Sequence, residues 1–229
     1  MISIALEMDC IEYMKECSDR EFDLCIADPW YGVGMTRNDT TGFAKKRFRI
    51  PSGISDQAPG KETFDEIRRI SKNQIIWGGN YFLDFLGNCR APIIWDKGTG
   101  ANYFADGEFA WTSFKTGCLR IFKHQWCGCF KDSEKGEAMI HPCQKPLALY
   151  RWILSRFSKP GMKIFDPFLG SGASRIACHD FGLDFWGTEI DSTTFQNQEI
   201  RFKEYASQKQ LFHPAEINQH KMIELFPLS

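Results

Sequence analysis

The sequence predicts one α/β domain built on a mixed, mostly parallel sheet with helices on both faces, and three observations carry that expectation. Short apolar runs at residues 2–6, 23–27, 74–77 and 91–95 end abruptly in polar, glycine or proline turns, and segments of helical periodicity lie between them. Residues 162–191 read as strand, glycine turn, helix, strand and acidic end in unbroken succession. The 229 residues, 43% hydrophobic and 25% charged, suit a single domain with its own core and exclude a disordered or fibrous chain.

Each element has a local reason. Asp9 is placed to cap a helix that carries Ile11, Met14 and Cys17. The strand at 23–27 stops at Asp28-Pro29-Trp30-Tyr31-Gly32, because proline cannot continue a central ladder. That run therefore sits at a strand's carboxyl end, the edge where open α/β sheets bind ligands. Residues 33–60 form a long polar loop holding Arg37, Lys45, Lys46, Arg47 and Arg49. A helix at 61–71, a strand at 74–77 and a strand at 91–95 follow. Residues 98–140 change character, being glycine-rich, aromatic and basic (Lys115, Arg120, Lys123), and read as a small insert of short strands and loops. Pro146 opens a helix to 157. Then come a strand at 162–165, the glycine turn, a helix at 173–181 stopped by Gly182, a strand at 184–188 and a helix from 192 to about 205. The expected organisation of the single domain, 1–229, is thus a first half at 1–97, the insert at 98–140, a second half at 141–205 and a tail at 206–229.

Lys plus Arg total 28 against 29 Asp plus Glu, a net charge of -1, so nucleic-acid binding by bulk charge is excluded and any such binding needs a local patch. Nine scattered cysteines, with no basic leader and no membrane-length apolar run, read as reduced thiols in a cytoplasmic protein. Cys118, His124, Cys127, Cys129, His141 and Cys143 raise the alternative of a zinc-organised binding module, but their spacing is not a paired C-x-x-C framework and no metal is expected.

Two constellations carry chemistry. The turn Asp166-Pro167-Phe168-Leu169-Gly170-Ser171-Gly172 lets the backbone approach a ligand at a helix N-terminus, and Glu189 ends the next strand where an acid can hold both hydroxyls of a ribose. The absent third glycine of G-x-G-x-x-G favours a single nucleoside-type cofactor over a dinucleotide. In the second constellation, the Asp28 carboxylate, the Pro29 carbonyl and the Tyr31 ring form two acceptors beside an aromatic face. That set suits the exocyclic amine of a nucleobase flipped from its duplex.

On these residues the sequence resembles the amino-methylating DNA methyltransferases of the β group. Their D-P-P-Y signature is seen as Asp28-Pro29-Trp30-Tyr31, with Trp30 in the second proline's place, and their F-x-G-x-G loop as Phe168-Leu169-Gly170-Ser171-Gly172. His141-Pro142-Cys143-Gln144-Lys145-Pro146 resembles the group's H-P-T-x-K-P segment, and Asp9-Cys10 its G-D-C segment. The resemblance implies a Rossmann-like class I methyltransferase fold with circularly permuted motif order and a small recognition insert. It implies S-adenosyl-L-methionine as cofactor, double-stranded DNA as partner and the N6 amine of adenine as target, with N4 of cytosine as the alternative. A catalytically silent nucleic-acid-binding protein is the alternative from another class. Asp28, Pro29 and Tyr31 would be catalytic. Asp9, Gln144, Lys145, Asp166, Phe168, Gly170, Ser171, Gly172 and Glu189 would hold the cofactor. Arg37, Lys45, Lys46, Arg47, Arg49, Lys115, Arg120 and Lys123 would meet DNA. A homodimer is implied by resemblance alone, and a cognate restriction endonuclease is left open.

Overall fold

The computed structural model describes residues 1–33, 57–99, 105–127, 130–137 and 139–211. The basic loop residues Arg37, Lys45, Lys46, Arg47 and Arg49 lie outside the described residues, as does the tail from 212 onward.

The first strand, β1 (Ser3–Glu7), leads to α1 (Cys10–Glu16), and the Asp9 carboxylate caps that helix by accepting the amides of Ile11 at 2.7 Å and Glu12 at 3.2 Å. Then come β2 (Phe22–Ala27), α2 (Lys61–Ile70) and β3 (Ser71–Trp77). Phe64, Ile67 and Ile70 recur every third residue along α2, and all are fully buried. A 3-10 turn (Gly79–Tyr81), α3 (Leu83–Leu86), β4 (Ile93–Asp96), β5 (Gly107–Thr112) and β6 (Arg120–Lys123) complete the first part. A ribbon of β7 (Trp126–Cys127) and β8 (Phe130–Lys131) stands apart. The second part is α4 (Leu147–Phe157), β9 (Lys163–Asp166), α5 (Ala173–Phe181), β10 (Asp184–Glu189) and α6 (Ser192–Leu211).

Among the described residues, eight strands form one sheet in the order β1-β10-β9-β2-β3-β5-β4-β6. All run the same way except β5, which is antiparallel to both β3 and β4. The carboxyl ends of seven strands therefore share one edge with the amino end of β5. Because β2 is central, it is apolar on both faces: Leu24 and Ile26 join the core beneath α4 and α5, while Phe22, Cys25 and Ala27 join the core beneath α1 and α2. Helices thus cover both faces, as the sequence predicts.

The stretch at 98–140 differs from its expectation. β5 slots between β3 and β4 and β6 closes the sheet, so much of this segment is sheet rather than a separate insert. The last helix also runs past 205 to Leu211. Among the described residues no helix is long and apolar enough to cross a membrane.

Candidate active site

β2 delivers Asp28 one residue beyond its last paired position, and Pro29 turns the chain aside. Asp28 Oδ1 accepts hydrogen bonds from Tyr31 Oη at 2.9 Å and from Lys145 Nζ at 2.5 Å. A second carboxylate, Glu108, comes from the opposite chain direction: β5 enters the sheet at this edge, so its second residue reaches the same place. Glu108 Oε2 lies 3.1 Å from Lys145 Nζ and 3.2 Å from Tyr31 Oη, and its Oε1 pairs with Lys97 Nζ at 2.5 Å. Gly107 makes this entry possible, since a Cβ there would stand 2.5 Å from the Trp95 carbonyl oxygen.

The charges alternate as Lys97, Glu108, Lys145 and Asp28, so a poorly solvated quartet is neutral overall. Its members are not equivalent. Burial works to raise the Glu108 carboxyl, but two lysines outweigh it and bring the group down to about 2. Burial also raises Asp28, and there a single lysine, opposed by the Glu108 charge, does not compensate. Burial disfavours the Lys145 ammonium, yet the two carboxylates hold its pKa above the ordinary lysine value.

The ring of Tyr31 rests on Gly78, whose φ is +65° and where any Cβ would fall 2.1 Å from the ring. Tyr81, half exposed, stacks on Tyr31 at 5.1 Å between centroids.

The neighbouring strand builds the other half of the site. Cys25 pairs with Phe165, so Asp28 and Asp166 leave adjacent strands on one edge. The turn after Asp166 passes through Gly170 at φ +51° and Gly172 at φ +74°, and Gly172 caps α5. Asp166 is 1% exposed and accepts the Phe168 amide at 2.9 Å and the Ser174 hydroxyl at 2.5 Å. Burial pushes its carboxyl up to about 7. Glu189 ties the turn to the end of β10, accepting the amides of Gly170 and Asp191, each at 2.9 Å. Its carboxyl too is raised, chiefly by burial. Ser171 is buried and its carbonyl accepts from Arg201 at 3.1 Å, while Phe168 packs on the core beneath α1 and α2.

Asp9 reaches this region through the Met8 amide, which bonds the Glu189 carbonyl at 3.0 Å. Gln144 is 5% exposed, and its side-chain oxygen accepts the Ile140 amide at 3.1 Å. His141 sits between the two halves, tilted against Trp30 at 5.6 Å and facing Gly170. Burial, aided by Lys145, lowers it to about 4, so it is neutral near pH 7.

Lys145, expected at the cofactor, has its buried ammonium on two carboxylates, Asp28 at the end of β2 and Glu108 at the start of β5. Lys115 follows β5 and Arg120 begins β6, which places both at the edge opposite Asp28 because β5 reverses direction. Lys123, exposed at the end of β6, is on the Asp28 edge. Cys118 and His124 flank β6 at its two ends, and among the described residues no group of three or more Cys, His, Asp or Glu is arranged for a metal. Sequence reasoning missed Glu108, Lys97, Gly78 and Tyr81. The Trp95-Asp96-Lys97 strand end and the paired glycines at 78 and 79 were the signals available.

The donor and acceptor set suits a nucleoside-type cofactor that carries positive charge. Two left-handed glycines open the backbone at a helix N-terminus, and Asp166 and Glu189 bond amides and a hydroxyl rather than a cation. Comparison with known proteins agrees with this geometry. A family model described as DNA methylase matches residues 114–199. The DNA adenine methyltransferase YhdJ of Escherichia coli (strain K12) is 28% identical over 142 residues, covering 53% of this chain and 48% of that protein, so the match spans about half of that relative's length. The M1.HpyAVI–SAM complex superposes with a TM-score of 0.57 at 23% identity, covering 88% of this chain and 100% of that one. The cytosine-N4-specific PvuII DNA methyltransferase superposes with a TM-score of 0.60 at 12% identity, covering 98% and 91%. The chain is thus similar to DNA methylases over residues 114–199 and shares its fold with two solved DNA methyltransferases.

Proposed function

We propose that the protein is a DNA methyltransferase that uses S-adenosyl-L-methionine to methylate the N6 amine of adenine. The observation that carries this reading is Asp28, a carboxylate with Oδ1 held by two donors, at the strand end beside the glycine turn. Its other oxygen accepts no hydrogen bond among the described residues and stands ready for an amine hydrogen.

Pro29 offers its carbonyl to the second amine hydrogen, which favours a tetrahedral nitrogen with its lone pair free. The Tyr31 ring, seated on Gly78 and stacked by Tyr81, lines the aromatic side on which a base taken out of the stack would lie. Phe168, Gly170, Ser171, Gly172 and Glu189 hold the cofactor with Asp9 and Asp166, and Gln144 shapes the segment beside them. When bound, the cofactor supplies an electrophilic methyl group on a sulfonium. The aromatic walls keep water from that methyl, and Asp28 gains strength as positive charge develops on the amine. The basic residues at 37–49, which directly follow the catalytic run in sequence, and Lys123 meet duplex phosphates. An Asp at the first motif position and the name of the YhdJ relative support adenine over cytosine.

Mass spectrometry of nucleosides from unmethylated duplex DNA, after incubation with the protein and S-adenosyl-L-methionine, tests this. N6-methyladenine is the expected product. N4-methylcytosine would keep the chemistry and overturn the choice of base, and no methylated base would overturn the reading.

A further inference from the structure

The quartet at the end of β2 holds one residue for which the proposed chemistry has no direct use. Glu108 lies at the amino end of the reversed strand, 19% exposed, with one oxygen on Lys97 and the other shared by Lys145 and Tyr31. Asp28, by contrast, meets among the described residues only Lys145 and the Tyr31 hydroxyl. Two cations bear on one carboxylate and a single shared cation on the other.

We propose, resting on the methyl-transfer reading, that Glu108 is a positioning residue that stays anionic, shares Lys145 with Asp28 and so leaves Asp28 the acceptor of the proton released on methylation. The amine nitrogen forms the new N–C bond with its lone pair as the C–S bond breaks toward sulfur. It then sheds one N–H proton to Asp28, whose carboxylate becomes a carboxyl and returns the proton to solvent when the base leaves. Glu108 takes no proton at any point, because Lys97 and Lys145 both hold it ionised.

Other ionisable groups surround the pair. Tyr31 follows β2, Lys97 follows β4, Lys145 precedes α4, Tyr150 lies on α4 and Asp166 ends β9; burial and the charges of Asp28 and Glu108 keep both tyrosine hydroxyls protonated, and Asp166 feels the Asp28 charge. His141 is neutral near pH 7 and adds no charge. Without Glu108, Lys145 would serve Asp28 alone and draw it toward stronger acidity, weakening it as a base. Asp28 would then hold its charge to lower pH.

The test titrates the protein labelled with carbon-13 at its Asp and Glu carboxyls, assigned with Asp28→Asn and Glu108→Gln, and in parallel follows single-turnover methylation of unmethylated duplex DNA against pH. Glu108 is expected to titrate well below Asp28. Glu108→Gln should lower the Asp28 midpoint by about one pH unit, moving the acid limb of the rate profile the same way, and Glu108→Asp should restore it. An Asp28 midpoint that stays in place in Glu108→Gln, or one below that of Glu108, overturns the proposal. Should Glu108→Gln fail to fold, Lys97→Met must raise the Glu108 midpoint, and an unchanged midpoint is equally fatal. If the carboxyls titrate as expected while no DNA is methylated, the functional reading fails and the charge order stands.

Discussion

Asp28 and Asp166 leave neighbouring strands on one edge of the same sheet, yet the regions around them are built on opposite electrostatic plans. Around Asp28, two lysines and two carboxylates cancel one another, and the tyrosine hydroxyl bridges the acids. Around Asp166, the acid is supported by an amide and a hydroxyl, and Glu189 by two amides. The first region brings its own cations. The second has acids whose charge is costly until a cation arrives, which is why burial drives Asp166 to about 7. The difference teaches a division of labour: the self-neutralised region suits a neutral base, and the acidic region suits a positively charged cofactor.

The largest effect should follow from breaking the first region. Asp28→Ala is expected to lower methyl transfer by at least about 100-fold while leaving cofactor affinity, measured by calorimetry, within about twofold. Next in size is Gly78→Val, which drives a side chain into the Tyr31 ring at a positive φ. It should cost about 1–3 kcal/mol in chemical denaturation and about tenfold in rate.

The second region is sharpened by pH. Asp166 titrates near 7 in the folded protein against an ordinary 3.8, so below pH 7 it is neutral and offers a cation little. Cofactor affinity should therefore rise as pH is raised through about 7, and Asp166→Asn should flatten most of that rise in calorimetry. The unliganded protein should respond in the other direction. A carboxyl raised on folding contributes stability at low pH that is lost as pH climbs from 3.8 to about 7, and thermal melts across that window will show it.

The smallest effect concerns DNA. Lys123→Ala should weaken duplex binding by a few fold and reduce the salt slope by about one, whereas Lys115→Ala, at the far edge, should change neither.

The elements that the sequence revealed are those whose signals are local. The helix Ala173–Phe181 is bracketed by Gly172 and Gly182, both left-handed, so its two ends were legible to the residue. Asp28 was legible because proline ended its strand, and the Asp9 cap because a side-chain acceptor preceded a helical pattern. Glu108 was not, because its meaning depends on a contact 77 residues away from Tyr31 and on a strand running backwards. The glycine-rich composition around β5 reads as an insert of short strands and loops, whereas Gly107 lets one backbone pass another within the main sheet. The pairing of Lys145 with Asp28 and Glu108 was not legible, since a lysine's sequence neighbours do not reveal which distant carboxylates will claim it.

The strand order has a consequence for how the chain is made. β2 lies between β3 and β9, and the Lys163 amide bonds Asp23 at 2.9 Å across 140 residues. During synthesis at roughly 5–20 residues per second, one side of this central strand waits on the order of ten seconds for its partner to emerge. β1 waits longer, for β10. A nascent chain with its apolar parallel edge open for that time is exposed to wrong pairings, and its folding is set by contacts that close last. A permuted sheet therefore gives Asp28 early and the glycine turn late, and makes the final thirty or so residues of the sheet the step that commits the domain to its native form.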